Sequence, residues 1–284
     1  MSTPRPRPPV RRALRRLPLN AAAALTVVVC LFPVYWMVTT AFKPSTDIQS
    51  YDPRLVPSAW TFEHFRKAVG ADGFALFWRN SLLVTLSAVL LALLVALGAA
   101  YAVARMRWRG RRQFMLAVFV AQMAPWESLI IPIYIISRDT GMLDRLPTLT
   151  LIYFMITLPF TVVVLRGFIA GIPPELEEAA LVDGANRVQA MLLIILPLAA
   201  PGVAAATIFA FTLSWNEYLY AFILMTDSTK MTLSPGMTKL VFGDIFLWGM
   251  IMSGATLMSL PVVLLYFVAQ RFVVSGLTAG SVKG

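Results

Sequence analysis

Five stretches of this chain contain no charged side chain: residues 17–42, 80–104, 146–165, 188–216 and 245–270, the shortest of 20 residues and the longest of 29. An α-helix needs about 20 apolar residues to cross the hydrocarbon core of a bilayer. Each stretch is therefore long enough to span. A sixth segment, 113–136, is apolar apart from Glu127 and is interrupted by Pro125 and Pro132. The expected architecture is an all-α integral membrane protein with six transmembrane helices, near 20–42, 81–104, 113–136, 148–168, 198–224 and 248–271. Composition agrees. The chain is 58% hydrophobic and 13% charged, against roughly 25% charged residues in soluble domains. The alternating apolar and polar strands of an outer-membrane barrel are absent.

The net charge of +10 raises the question of nucleic acid, and its distribution answers it. Six spans put both termini on one side. That side carries the arginines of the tail (Arg5 to Arg16) and of the loop Arg105 to Arg112, while most acids fall on the other. Excess Lys and Arg mark the cytoplasmic side, so both termini are expected there, in the cell (inner) membrane. No aromatic residues interleave a folded basic face, so nucleic acid is not an expected partner. Residues 1–19 read as a disordered basic tail and 20–284 as one six-helix transmembrane domain. The first apolar run is too long for the core of a cleaved signal peptide. Cys30 and His64 are each the sole residue of their type, which leaves no disulfide framework and no set of metal ligands. No phosphate-binding G-x-x-x-x-G-K-[ST] occurs, so no cofactor is expected in this chain, and no catalytic residue is assigned.

Two ridges of small residues recur at spacing four: Ala88, Ala92, Ala96, Ala100 and Ala104, then Gly202, Ala206, Ala210 and Ser214. Each set shares one helix face, where close backbone approach drives association in lipid. The first reads as packing within the chain; either is also suited to a second subunit. Between the first two spans, TFEHFRKAV places Phe62, Phe65 and Val69 on one face of a short interfacial helix, to which His64 belongs.

One segment departs from the greasy pattern. After Pro173 and Pro174 come Glu175, Glu177 and Glu178, acids suited to the positive end of a first helical turn. Gly184 reads as a helix stop. Asn186 with Gln189 reads as a cap with its reciprocal partner. The reading is helix, turn, helix, with the first helix about 174–185. Leu176, Ala180 and Gly184, with Ala179 and Asp183 beside them, form a nearly bald face ringed by acids.

This segment resembles the signature of ABC importer permeases: E-A-A, three residues, G, nine residues, I, one residue, L-P. Glu178, Ala179, Ala180, Gly184, Ile194, Leu196 and Pro197 fill its fixed positions. SWNEYLYAF (214–222) and GLTAGSVKG (276–284) are similar to the second permease subunit of maltose-type carbohydrate importers. The resemblance covers 20–284. It implies a type I importer fold in which this segment, Asp183 included, is a cytoplasmic coupling helix seated in an ATPase cleft. It also implies a homologous partner permease, two ATPase subunits that hold ATP and Mg, an extracytoplasmic solute-binding protein and a sugar or polyol substrate.

Two acids lie within the expected spans. Glu127, beside Trp126 in APWESLIIP, joins a carboxylate to an indole, a pairing that suits a sugar as well as it suits a structural hydrogen bond between helices. Glu217, with Trp215 and Asn216 in SWNEY, sits near an outer helix end, where substrate contact, gating and packing are equally open. The outer loop 226–248 carries Ser234-Pro235-Gly236, a turn signal expected to project a tip, followed by Met237. The resemblance implies contact there with the binding protein. An ion-driven secondary transporter is the alternative; it calls for carboxylate relays and inverted repeats, and no repeat is visible.

Overall fold

The computed structural model describes residues 9–71, 73–242 and 245–280. The structure is almost wholly helical. In chain order the helices are α1 (Pro9–Phe42), α2 (Ser45–Ile48), α3 (Glu63–Gly70), α4 (Phe74–Arg105), α5 (Arg111–Met123), α6 (Ile130–Asp139), α7 (Leu146–Gly171), α8 (Pro174–Val182), α9 (Arg187–Ala190), α10 (Leu196–Leu198), α11 (Ala200–Trp215), α12 (Leu219–Leu224), α13 (Leu233–Gly236) and α14 (Trp248–Gly280). A two-residue hairpin pairs Val241 with Phe246 and Phe242 with Ile245.

Four helices are long and apolar enough to cross a membrane by themselves. The other two spans are broken. Arg111–Met123 and Trp126–Asp139 meet at 86°, and Arg187–Leu198 and Ala200–Trp215 at 77°. Both breaks follow from proline, which removes an N–H and clashes with the preceding turn. Pro125 stands between α5 and the 3-10 turn Trp126–Leu129. At the second break, Met191–Ile195 form a π turn leading into α10, which carries Pro197, and Pro201 opens α11. The break in the third span falls at Pro125, where the sequence interrupts it, whereas the expected single helix over 198–224 is corrected. That helix ends early, at Trp215, and resumes as α12.

The chain divides into two compact units. The first comprises residues 1–70 and 240–257. In it α1 begins at Pro9, within the tail expected to be disordered; residues 1–8 lie outside the described residues. Phe42 gathers Trp60, Phe62 and Phe65 around it with ring centroids 4.8–5.6 Å apart. His64 is buried on the other face of α3, its Nε2 3.0 Å from the Lys43 carbonyl. Gly249 approaches it so closely that a Cβ there would lie 2.4 Å from the ring.

The second unit comprises residues 71–239 and 258–284. Its core is α4 packed along α7, with α11 against both. The alanine ridge accounts for the intimacy of this contact. Ala88, Ala92, Ala96 and Ala100 are fully buried. Ala206 and Ala210 are fully buried too, and a Cβ on Gly202 would lie 2.4 Å from Phe168. Both ridges are used inside the chain, where small side chains allow close helix approach. In α7, Pro159 is flanked by Thr157 and Thr161, whose hydroxyls each donate to the carbonyl four residues back at 2.8 Å. Such bonds satisfy buried hydroxyls within lipid.

Candidate functional site

The helix α8 is bounded as its residues dictate. Pro174 occupies the first turn and needs no N–H partner. At the other end Gly184 has φ +92°, a left-handed conformation. Its N–H donates to the Leu181 carbonyl at 3.2 Å, and Ala185 N–H to that of Ala180 at 3.0 Å. These two bonds make a Schellman stop. Two residues on, Asn186 caps α9. Its side chain accepts from Gln189 N–H at 2.9 Å, while the Gln189 side chain accepts from Asn186 N–H at 2.8 Å. This reciprocal cap is the one the sequence indicates.

What fixes α8 to the protein is a cluster that sequence reasoning missed. Glu177 points inward and is buried. It accepts a hydrogen bond from the Tyr101 hydroxyl and lies 3.2 Å from Arg105 Nε. Arg105 Nη2 in turn donates to the Ile172 carbonyl at 2.6 Å. One guanidinium at the end of α4 thus holds the end of α7 and the middle of α8 together. Paired and hydrogen-bonded, the two buried charges are retained, whereas either alone would be costly. Arg105 reads in the sequence as an orientation signal and Glu177 as a first-turn acid. Only the i, i+4 relation of Tyr101 to Arg105 hints that both point the same way.

With Glu177 turned inward, α8 presents the opposite face. Glu178, Ala179, Asp183 and Gly184 are exposed, and Ala180 is half-buried. Val182, which the sequence reading did not single out, is 86% exposed. A valine so placed at the end of a rigidly held helix is open to a partner. The last three signature residues lie elsewhere. Ile194 and Leu196 are half-buried and Pro197 is exposed, all at the π turn and bend. They set the direction in which the chain leaves α8 for α11 and are not part of its exposed face.

The span candidates separate as well. Glu127 is exposed, in the 3-10 turn at the 86° break; it is not in mid-helix. Trp126 is half-buried, and its carbonyl accepts from the Tyr220 hydroxyl at 2.6 Å, tying the break to α12. Glu217 accepts from the Tyr153 hydroxyl at 2.8 Å and from the N–H groups of Tyr220 and Ala221 at 2.9 and 3.2 Å. It caps α12 and bolts it to α7. Trp215 is buried, stacked on Phe211, with its indole N–H on the Met258 carbonyl at 2.9 Å. The exposed Asn216 bonds back to the Thr212 carbonyl at 2.9 Å.

The loop 226–248 differs from expectation. Ser234-Pro235-Gly236 does not project. It forms α13, in which Pro235 and Gly236 are buried while Ser234 and Met237 are half-buried. A Cβ on Gly236 would lie 2.4 Å from Phe77. Ser81 Oγ accepts from Leu233 N–H at 2.7 Å, and Asn80 Nδ2 donates to the carbonyls of Thr229 and Met231 at 3.0 and 2.9 Å. The polar residues at the start of α4 thus pull the loop down. The exposed part is 226–230 instead, held by Asp144, which accepts from Thr226 and Asp227 N–H at 2.6 and 2.7 Å. Asp244 lies outside the described residues.

Six spans, two of them bent, with a short helix clamped between the fourth and fifth, are the architecture expected of an importer permease. Residues 88–278 match the family described as binding-protein-dependent transport system inner membrane component, and the chain belongs to it. It is 47% identical over 267 residues to the diacetylchitobiose uptake system permease protein DasC of Streptomyces coelicolor, covering 93% of this chain and 96% of that protein. It is 35% identical to the trehalose transport system permease protein SugB of Mycobacterium tuberculosis, covering 92% and 95%. The fold is that of a chain in a bacterial ABC transporter involved in the import of the acidic polysaccharide alginate. The TM-score there is 0.79 at 21% identity, over 95% of this chain and 99% of that one. This membership sets aside the ion-driven alternative.

Proposed function

We propose that this chain translocates a sugar, a related polyol or an oligosaccharide across the cell membrane, with both termini in the cytoplasm. Energy comes from ATP and Mg held by two partner ATPase subunits. A homologous permease completes the pathway, and an extracytoplasmic solute-binding protein delivers the substrate. The observation that carries this reading is α8. It is a short helix locked from within by Glu177, Tyr101 and Arg105, and it offers Glu178, Ala179, Val182 and Asp183 to a partner. A rigidly held helix transmits displacement in both directions, as coupling of hydrolysis to transport requires. The bend containing Ile194, Leu196 and Pro197 passes that displacement to α11. The carbohydrate class is supported by relatives named for diacetylchitobiose and trehalose.

Trp126 and Glu127, at the broken third span, are the best-placed substrate contacts. A break exposes backbone groups that are tolerated at membrane depth only where they are buried in protein or line a water-filled cavity. Glu217 and Trp215 are assigned to architecture, because their polar groups are engaged within the chain, and Asn216 bonds back to its own helix through Nδ2. Uptake of labelled diacetylchitobiose, trehalose and maltose is to be compared in cells with and without this chain. Loss of uptake of at least one sugar is expected. In Glu127→Gln cells its apparent affinity should weaken, while ATP hydrolysis by the purified complex persists. Unchanged uptake of all three would remove the support for a sugar substrate.

A further inference from the structure

Beside the clamp, a separate cavity of about 480 Å³ opens where α4 ends and α5 begins. Its lining includes Arg111, Arg112, Arg166, Gly110, Trp108 and Met115, and no acid. Arg166 rises from α7, and its Nε is buried without a hydrogen-bond partner. A buried guanidinium nitrogen without an acceptor is costly. The first turn of α5 opens on the same space. Gly110, at φ +94°, provides no side-chain cap there, which leaves backbone N–H groups directed outward. Three arginines and the uncapped N-terminus of α5 line one cavity that no acid lines.

We infer that this cavity binds the phosphate of an anionic phospholipid headgroup. The chemistry is that of any phosphate, but three features favour the lipid. The cavity lies at the ends of two spans, the level of the headgroups. Trp108, 41% exposed, stands at its edge, as aromatic residues do at membrane surfaces. From the cavity, Leu116, Phe119, Val120 and Met123 continue along one face of α5, 49–82% exposed. That apolar track is suited to acyl chains, and a soluble phosphate has no use for it. The side chain of each arginine adds about fivefold to affinity, which corresponds to ~1 kcal/mol per cation near an anionic surface.

The test uses the assembled transporter, purified in detergent and observed by native mass spectrometry. It is titrated with phosphatidylglycerol and with phosphatidylcholine of the same acyl chains. Wild type should retain phosphatidylglycerol at least about tenfold more tightly. Arg112→Gln and Arg166→Gln should each cut that preference about fivefold. Lys at the same positions, keeping the charge but losing the planar fork, should cut it less; these variants decide the matter if a Gln variant does not assemble. Equal retention of the two lipids by wild type would overturn the proposal. So would a preference that none of the substitutions alters. Displacement of the lipid by millimolar inorganic phosphate would make this a soluble-phosphate site. Retention by the permease pair alone, lost when the ATPases bind, would make the arginines a protein contact.

Discussion

At the scale of single residues, the buried ion pair of Glu177 and Arg105 decides where α8 points. Glu177→Gln leaves the Tyr101 hydroxyl an acceptor but leaves Arg105 without a counter-charge. Breaking one side of a buried pair costs roughly 3 kcal/mol or more. The melting temperature of the assembled complex should fall. Arg105→Met in the same chain should recover much of the loss, because an apolar replacement of the whole pair is far less costly than half of it. A double-mutant cycle measures the coupling, and a coupling energy near zero would dismiss the clamp. Gly184 separates two roles of a glycine. A Cβ there meets nothing within 4 Å, so within this chain only its positive φ matters. Gly184→Ala should cost ~1 kcal/mol in stability and Gly184→Asn less, since Asn visits the left-handed region readily. Both should abolish substrate-stimulated ATP hydrolysis if the turn enters a narrow groove. Normal stimulation with Asn would show that the glycine serves the turn alone. The sequence exposed Gly184, Asn186 and Gln189 because caps are local chemistry. It hid Glu177, because whether an acid in a first turn faces water or a distant arginine depends on how α4 and α7 pack.

At the scale of elements, hydropathy located every span and Pro125 marked the interruption of the third, but neither bend angle could be read. Pro125 and Pro197 were visible, yet a proline in an apolar run tells only that hydrogen bonds are lost. The bend depends on which neighbours take up the freed groups. Tyr220, donating to the Trp126 carbonyl, and Glu217, capping α12, come from outside the segments they shape. The segment after α1 offers a test by pH. Asp47 accepts from the backbone N–H of Ser58 at 2.7 Å and from its hydroxyl at 2.9 Å, with Arg54 4.0 Å away. The two Ser58 bonds, and then the Arg54 charge, hold its pKa below the ordinary carboxylate value. A depressed folded pKa means that the contribution is complete above the unfolded value of about 3.9 and is lost as pH falls through the lower folded value. Hydrogen exchange over 47–58, corrected for intrinsic rates, should therefore be steady from pH 7 to 5 and quicken below about pH 4. Asp47→Asn should be fast already at pH 7 and lose that acid step. An acid step that survives in Asp47→Asn would mean that another group is responsible.

At the scale of the whole molecule, the question is which surface meets the solute-binding protein. A sequence turn at Ser234-Pro235-Gly236 invites the view that the loop projects there. Packing inverts it, because Phe77 fills the space beside Gly236 and Ser81 and Asn80 hold the flanking backbone. Residues 226–230 take the exposed position instead, in a turn closed by Lys230 N–H on the Asp227 carbonyl at 2.9 Å. Thr229 N–H and hydroxyl donate to Asp227 at 2.8 and 2.9 Å. These bonds hold the Asp227 pKa below its ordinary value, so the turn presents a fixed negative charge beside Lys230. A preformed polar turn loses little conformational freedom on docking. In a Cys30→Ala background, a cysteine at Ser228 should crosslink to the solute-binding protein when ATP and sugar are present. A cysteine at Ser234, half-buried in α13, should crosslink several-fold less. The reverse order would mean that α13 is released from α4 in the transporting state, and crosslinking of neither would place the docking surface elsewhere.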